Sequence, residues 1–414
     1  MCRIAVISVH SCPLARLGSK DTGGMSVYIK ELSRELGTRG MAVDIFTRVD
    51  DPARQRVVEF APNARVIHVP AGKLARIDKT QIWPHLPEFV RNIEQFRKEH
   101  GLEYQFLHTH YWLSGWAGIL LNERWRVPHV TMFHTLGQLK NQARPEENES
   151  AVRIGVEGRV MAAADAVIAA TEHERREMIR LYDADPSRLR VIPCGVNLGL
   201  FQPLPRRMAR EAIGLNGKRS ILFVGRVEPL KGVDLLLKAF EQVASTRDDC
   251  ELLVAGGDSL PGSYTAQMHQ LSSDLGIADR VRFLGTVEQQ QMPAYYSAAD
   301  VVVVPSHYES FGLSAAEALA CGTPVIASKV GGLPTIVREG ENGFLIPWRC
   351  PEAFAERMNR LLDDRALWGK LSQAARASVE RFDWGIIAER TLEVYDELRL
   401  ANRPELACAC GRTR

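Results

Sequence analysis

The stretch Val301-Val302-Val303-Val304-Pro305-Ser306-His307-Tyr308-Glu309-Ser310-Phe311-Gly312-Leu313-Ser314-Ala315-Ala316-Glu317-Ala318 decides how this chain folds. It opens on an unbroken apolar run, the pattern of a strand buried on both faces of a parallel sheet. A short loop holding proline and glycine follows, then small and apolar residues suited to a helix. The same succession recurs along the chain. Apolar runs at 4–8, 43–47, 66–69, 106–109, 129–133 and 166–170 are candidate strands, as are 221–224, 252–255, 281–284, 301–305, 325–327 and 344–346. Helical spacing fills segments between them, such as 27–36 and 235–243. Strand alternating with helix predicts an α/β class with parallel sheets and right-handed crossovers.

The chain reads as two similar halves. Each opens with a strand, a glycine-bearing loop and an amphipathic helix: 4–8, Gly23-Gly24 and 27–36 in the first, 221–224, Gly232 and 233–240 in the second. Between them, Pro193-Cys194-Gly195-Val196-Asn197 and a polar stretch to Arg210 read as the linker. After Pro351 the pattern is purely helical, ending in a long helix from Trp384. The expected division is a doubly wound domain over 1–197, a second over 198–383, a final helix at about 384–400 that packs back on the first, and a tail at 401–414. Two such domains enclose a cleft, and ligands bind outside the carboxyl ends of their strands.

Composition narrows the class. The 414 residues suggest two domains, at roughly 150 residues each. Apolar residues at 45% and charged residues at 25% exclude disorder, collagen and coiled coil for the bulk of the chain. A net charge of +2 gives no electrostatic case for a nucleic-acid partner. Eight scattered cysteines make no disulfide framework, and the close pair Cys408 and Cys410 reads as part of a loose terminus. The strand pattern beginning at Arg3 leaves no export leader, and no apolar run approaches the roughly 20 residues of a membrane span. A cytoplasmic protein without membrane association is expected.

Four constellations carry chemistry. Gly225-Arg226-Val227-Glu228-Pro229-Leu230-Lys231-Gly232 follows a buried strand and feeds a helix, where free N–H groups and two cations suit a diphosphate. It also reads as an ordinary solvated loop. In the opening stretch Glu309 lies in the loop and Glu317 about two helical turns later, on the helix; carboxylates accept hydrogen bonds from sugar or ribose hydroxyls, while Phe311 and Gly312 offer backbone N–H groups. A capping Glu309 and a solvated Glu317 are the structural alternative. Asp21-Thr22-Gly23-Gly24-Met25-Ser26 permits close backbone approach, or is a plain turn. Finally His10, His108, His110 and His134 gather at strand ends, without the cysteine or carboxylate spacing that zinc demands, so no metal site is expected.

Together, Arg226 with Lys231, Glu309 with Glu317 and seven residues between them, and Gly23-Gly24 resemble family 4 of the retaining glycosyltransferases, of GT-B fold. The resemblance covers essentially the whole chain. Within the family, His10 to Leu14, Gly23-Gly24-Met25, His108-Thr109-His110-Tyr111-Trp112 and His134-Thr135-Leu136 look most like the D-inositol 3-phosphate glycosyltransferases of mycothiol biosynthesis; Asp21-Thr22-Gly23-Gly24 also resembles the sucrose-phosphate synthases.

The resemblance implies a UDP-sugar donor, with Arg226 and Lys231 on the diphosphate, Glu317 on the ribose, and Glu309, Phe311 and Gly312 on the transferred sugar. Gly24 would touch the donor across the cleft, and His134 would lie beside the sugar. A phosphorylated acceptor would meet His10, Ser26, Lys79, Tyr111, Thr135 and Arg153. Lys79 and Arg153 suit a phosphate monoester but also read as surface cations. The inositol-phosphate enzymes carry Asn where this chain has Ser26, which loosens the link to that acceptor. The sugar would be N-acetylglucosamine or glucose. No tightly bound cofactor is implied; Mg²⁺ is admitted but not required, and a homodimer is compatible with the resemblance. With no nucleophile evident beneath the sugar, the expected route is front-side transfer with His134, Arg226, Lys231 and Glu309 as catalytic candidates. A nucleotide-sugar epimerase and a transferase acting on fructose 6-phosphate are the rivals.

Overall fold

The structure, a computed structural model, describes residues 2–15, 23–215, 217–258, 260, 262–347 and 349–401. Asp21, Thr22, Cys408 and Cys410 lie outside the described residues.

Among the described residues, fourteen strands form two sheets. The first holds β1 (Arg3–Ile7), β2 (Ala42–Arg48), β3 (Val57–Ala61), β4 (Ala64–Val69), β5 (Phe106–His110), β6 (His129–Met132), β7 (Ala166–Ala169) and β8 (Leu189–Val191). Their order across the sheet is β3-β4-β2-β1-β5-β6-β7-β8. The second holds β9 (Arg219–Val224), β10 (Cys250–Ala255), β11 (Val281–Gly285), β12 (Val301–Val304), β13 (Val325–Ser328) and β14 (Gly343–Ile346), in the order β11-β10-β9-β12-β13-β14. The second sheet is parallel throughout. The first is parallel except at one edge, where β3 runs antiparallel to β4. This edge strand is an addition to the expected parallel strands. β3 is half-exposed and joined to β4 by a tight turn through Asn63, whose φ of 56° is left-handed, so hairpin pairing replaces a crossover.

Both sheets reverse direction beside their first strand. β1 sits between β2 and β5, with Ile4 opposite Val43 on one side and Phe106 on the other. β9 sits between β10 and β12, with Ile221 opposite Leu252 and Val301. The loops on either side of such a switch point splay apart and leave a crevice. The interior strands are nearly devoid of exposed side chains because helices cover both faces; Val301 to Val304 are all buried.

The helix Trp384–Ala401 follows the second sheet in sequence but packs on the first unit. Trp384 packs edge-on against Tyr28, Tyr395 stacks on Phe106, and Arg190 pairs with Glu397 at 3.1 Å. The chain passes beneath this helix at Gly195, where a Cβ would lie 2.2 Å from the Trp384 ring, so only glycine fits. No helix among the described residues is long and apolar enough to cross a membrane.

Candidate functional site

At the second switch point, the loops after β9 and β12 bind each other. The His307 N–H donates to the Leu230 carbonyl at 2.8 Å, and Gly232 (φ 70°) approaches the Pro305 carbonyl so closely that a Cβ there would sit 2.2 Å from its oxygen. This docking brings Lys231 to Glu309: Nζ donates to Oε2 at 2.6 Å, with both side chains mostly buried. Ser306 lies at the margin of hydrogen bonding to the same oxygen, 3.5 Å away. Arg226 is 45% exposed and pairs with Glu228 at 2.9 Å, a partner weak enough in solvent to be exchanged.

The helix Leu313–Ala320 begins at Gly312, whose φ of 111° turns the loop into it. Phe311 is buried against Phe382 and anchors that turn. Glu317, about one turn further on, accepts a hydrogen bond from the Tyr296 hydroxyl at 2.7 Å. Burial of its carboxyl pushes its pKa up to about 7 despite that bond.

Across the crevice, the ends of β1, β5 and β6 present the other half of the site. His10 follows β1, with its ring 4.5 Å from that of Tyr111, which follows β5. Tyr111 and His134 both hold left-handed backbone, at φ 77° and 61°. Such conformations are strained for non-glycine residues and persist where the surroundings fix them. Lys79 opens the short helix Lys79–Ile82, is half-buried, and has no ion-pair partner among the described residues. Burial, followed by the charges of Lys79 and Arg153, pushes His10 down to about 3, so its imidazole is neutral. Burial does the same to His134, with His10 adding to it.

Two acceptor-side candidates are more enclosed than a ligand contact suggests. Ser26 is fully buried and shares a hydrogen bond of 2.7 Å with Ser11. Arg153 is only 2% exposed, which corrects the surface-cation reading. It pairs with Glu157 at 2.7 Å and Glu149 at 2.9 Å, donates to the Thr135 carbonyl at 2.9 Å and its hydroxyl at 3.1 Å, and lies 4.8 Å over the Tyr111 ring. Arg153 and Glu157 share a face of the helix Ala151–Ala163, and Glu149, four residues before Arg153, lies just ahead of its N-cap Ser150; that i±4 spacing is the signal that could have revealed the pairing.

The two rims meet. A Cβ on Gly23 would lie 3.8 Å from Arg226 Nε, and one on Gly24 would lie 3.1 Å from Leu313 Cδ1. Arg144 donates to the Pro229 carbonyl at 3.0 Å, and Arg349 to that of Ala143 at 3.1 Å. Leu230 and Tyr308, both on loops of the second unit, pack into the apolar cluster of the first. Sequence reasoning missed Tyr308 as a bridging residue, because its role depends on how the units face each other. No group of His, Cys, Asp or Glu among the described residues is placed to hold a metal ion.

Comparison with known proteins agrees with this architecture. The model "Glycosyltransferase Family 4" matches residues 22–200, and "Glycosyl transferases group 1" matches 206–378. The D-inositol 3-phosphate glycosyltransferase of Xylanimonas cellulosilytica is 43% identical over 405 residues, covering 95% of this chain and 96% of the relative. The sucrose-phosphate synthase of Thermosynechococcus elongatus superposes with a TM-score of 0.90 at 36% identity, over 97% of this chain and 100% of that one. Anabaena Alr3699/HepE in complex with UDP-glucose, at 22% identity, shares the fold with a TM-score of 0.76, over 96% and 100% of the two chains. With both units matched and the strand-end loops arranged as described, the chain belongs to glycosyltransferase family 4 and has the GT-B fold.

Proposed function

We propose that this glycosyltransferase moves N-acetylglucosamine or glucose from a UDP-sugar to a hydroxyl of a small phosphorylated acceptor, with inositol phosphate as the best match, and with retention at the anomeric carbon. The observation that carries this reading is the pairing of Lys231 with Glu309 at the second switch point, opposite Lys79, His10 and Tyr111 at the first. A charged pair suits a donor that brings both phosphate and hydroxyl groups: the diphosphate takes the ammonium, and the sugar hydroxyls take the released carboxylate. Arg226 would exchange Glu228 for the same diphosphate. The amides near Phe311 and Gly312 and the carboxylate of Glu317 would hold the sugar and the ribose, with Gly24 closing from the far side.

Catalysis on this reading is electrostatic. As the bond to UDP breaks, negative charge grows on the diphosphate and positive charge on the sugar. Lys231 and Arg226 stabilise the first, held in place before the reaction begins. His134, neutral at working pH, sits beside the second without repelling it. The acceptor hydroxyl attacks from the face that UDP leaves and gives its proton to the departing diphosphate, which accounts for retention without a protein nucleophile. Lys79 and Arg153 would hold the acceptor phosphate, with Tyr111, Thr135 and Ser26 around its ring. Arg153 would do so while keeping Glu157. Mg²⁺ is not needed for this charge balance. The soluble substrates fit a cytoplasmic enzyme.

The similarity to sucrose-phosphate synthase, together with Ser26 in place of the asparagine of the inositol-phosphate enzymes, favours fructose 6-phosphate as the second reading. UDP release from UDP-N-acetylglucosamine and UDP-glucose, each with inositol phosphate, fructose 6-phosphate or no acceptor, separates the two. Release dependent on inositol phosphate is expected. Dependence on fructose 6-phosphate moves the assignment to the second reading, and release without either acceptor overturns both.

A further inference from the structure

Behind His134 lies a file of imidazoles that the proposed chemistry leaves unused. His134 Nε2 and His110 Nδ1 are 3.0 Å apart. The rings of His110 and His108 follow at 4.4 Å, and His108 Nδ1 is 2.7 Å from the Tyr395 hydroxyl on the helix Trp384–Ala401. His108 and His110 are buried, and the Tyr28 ring meets those of both His110 and His134 edge-on.

Two neutral imidazoles can share a hydrogen bond only when one ring nitrogen carries the proton and the other does not. Burial pushes His108 and His134 down to about 3 and His110 well below its ordinary value, the neighbouring imidazoles adding to this, so the rings are neutral. A hydrogen bond at Nε2 restrains rotation of the ring about χ2. His134 also has left-handed backbone at φ 61°. The bond to His110 tethers it from a strand end adjacent in the sheet, where Tyr111 N donates to the Met132 carbonyl at 2.9 Å.

We infer that His110 is a positioning residue for the transfer reaction: its Nδ1 holds the His134 ring, and with it the strained turn, in the orientation that faces the donor sugar. This rests on the glycosyltransferase reading of His134 given above. His110 is buried behind His134, so on this inference it governs turnover rather than donor affinity. Misplacing a reacting-site group by about 1 Å is enough to cost on the order of 100-fold in rate.

Three substitutions test it in the full chain, with UDP-sugar turnover and thermal stability measured together. Asparagine places a polar atom close to where Nδ1 stood, glutamine carries it one bond too far, and leucine has none. His110→Asn is expected to keep turnover within about fivefold, whereas His110→Leu and His110→Gln lose 10- to 100-fold in kcat with the KM for the UDP-sugar within about threefold. Equal activity of Asn and Gln variants of equal stability overturns the inference, as does a loss that appears only in KM. If His110→Leu does not fold, the Asn and Gln pair still decides. A His134→Ala variant with undiminished kcat shows instead that the reading of His134 itself has failed.

Discussion

The two rims of the cleft are built from the same strand-loop-helix unit yet use opposite electrostatics. After β9 and β12 the working groups are charged and reachable: Arg226 is half-exposed, and Lys231 and Glu309 satisfy each other in a pair that a ligand can open. After β1, β5 and β6 the groups are neutral or locked. Four histidines are held uncharged by burial, and Arg153 is enclosed by two carboxylates and the Tyr111 ring. A rim of exchangeable ions suits a ligand that brings its own charge and takes charge away with it. A rim of neutral hydrogen-bonding groups suits hydroxyls, with Lys79 the unpaired cation among the described acceptor-side candidates.

The contrast is broken most severely at Arg153. Arg153→Met leaves Glu157 buried without its cation and is expected to cost about 3–5 kcal/mol of stability, read by denaturant unfolding. Lys79→Ala, on the same rim, should leave stability within about 0.5 kcal/mol and raise the acceptor KM roughly tenfold. On the other rim, Lys231→Ala removes the charge proposed to stabilise the leaving group; turnover should fall about 100- to 1,000-fold, with a smaller loss of stability than Arg153→Met because Glu309 is less enclosed than Glu157.

Titration sharpens the comparison further. Burial pushes Glu317 up to about 7, so as pH falls from 8 to 6 it gains a proton and loses capacity to accept the ribose hydroxyls proposed for it. The KM for the UDP-sugar should rise up to about tenfold over that range, since one pH unit below the pKa leaves about a tenth of the carboxylate. The dependence should vanish in Glu317→Gln. The smallest effect belongs to His10: already neutral above pH 5, it should leave the acceptor KM without a histidine limb between pH 5 and 8.

Much of this was legible in the sequence because parallel strands buried on both faces are continuous apolar runs; β1, β9 and β12 fall where those runs do. β3 and β8 escaped that signal. The first is a half-exposed edge strand containing Glu59, and the second is three residues with an arginine in the middle. The linker stretch also hides the helix Arg206–Ala212, too short and too charged to show an apolar stripe. Charged site residues were visible as residue types, but their partners were not. Arg153 reads as a surface cation until the i±4 glutamates fold against it, and the bond from His110 to His134 exists only because β5 and β6 are neighbours, which no local spacing records.

The division of labour between the rims is tested most directly by equilibrium binding of UDP to the parent, Lys231→Ala and Lys79→Ala proteins. Binding at least about 30-fold weaker in Lys231→Ala, and unchanged in Lys79→Ala, is the expected result. UDP that binds Lys231→Ala as tightly as the parent, or that is lost equally in Lys79→Ala, would contradict the assignment of the donor to the second rim.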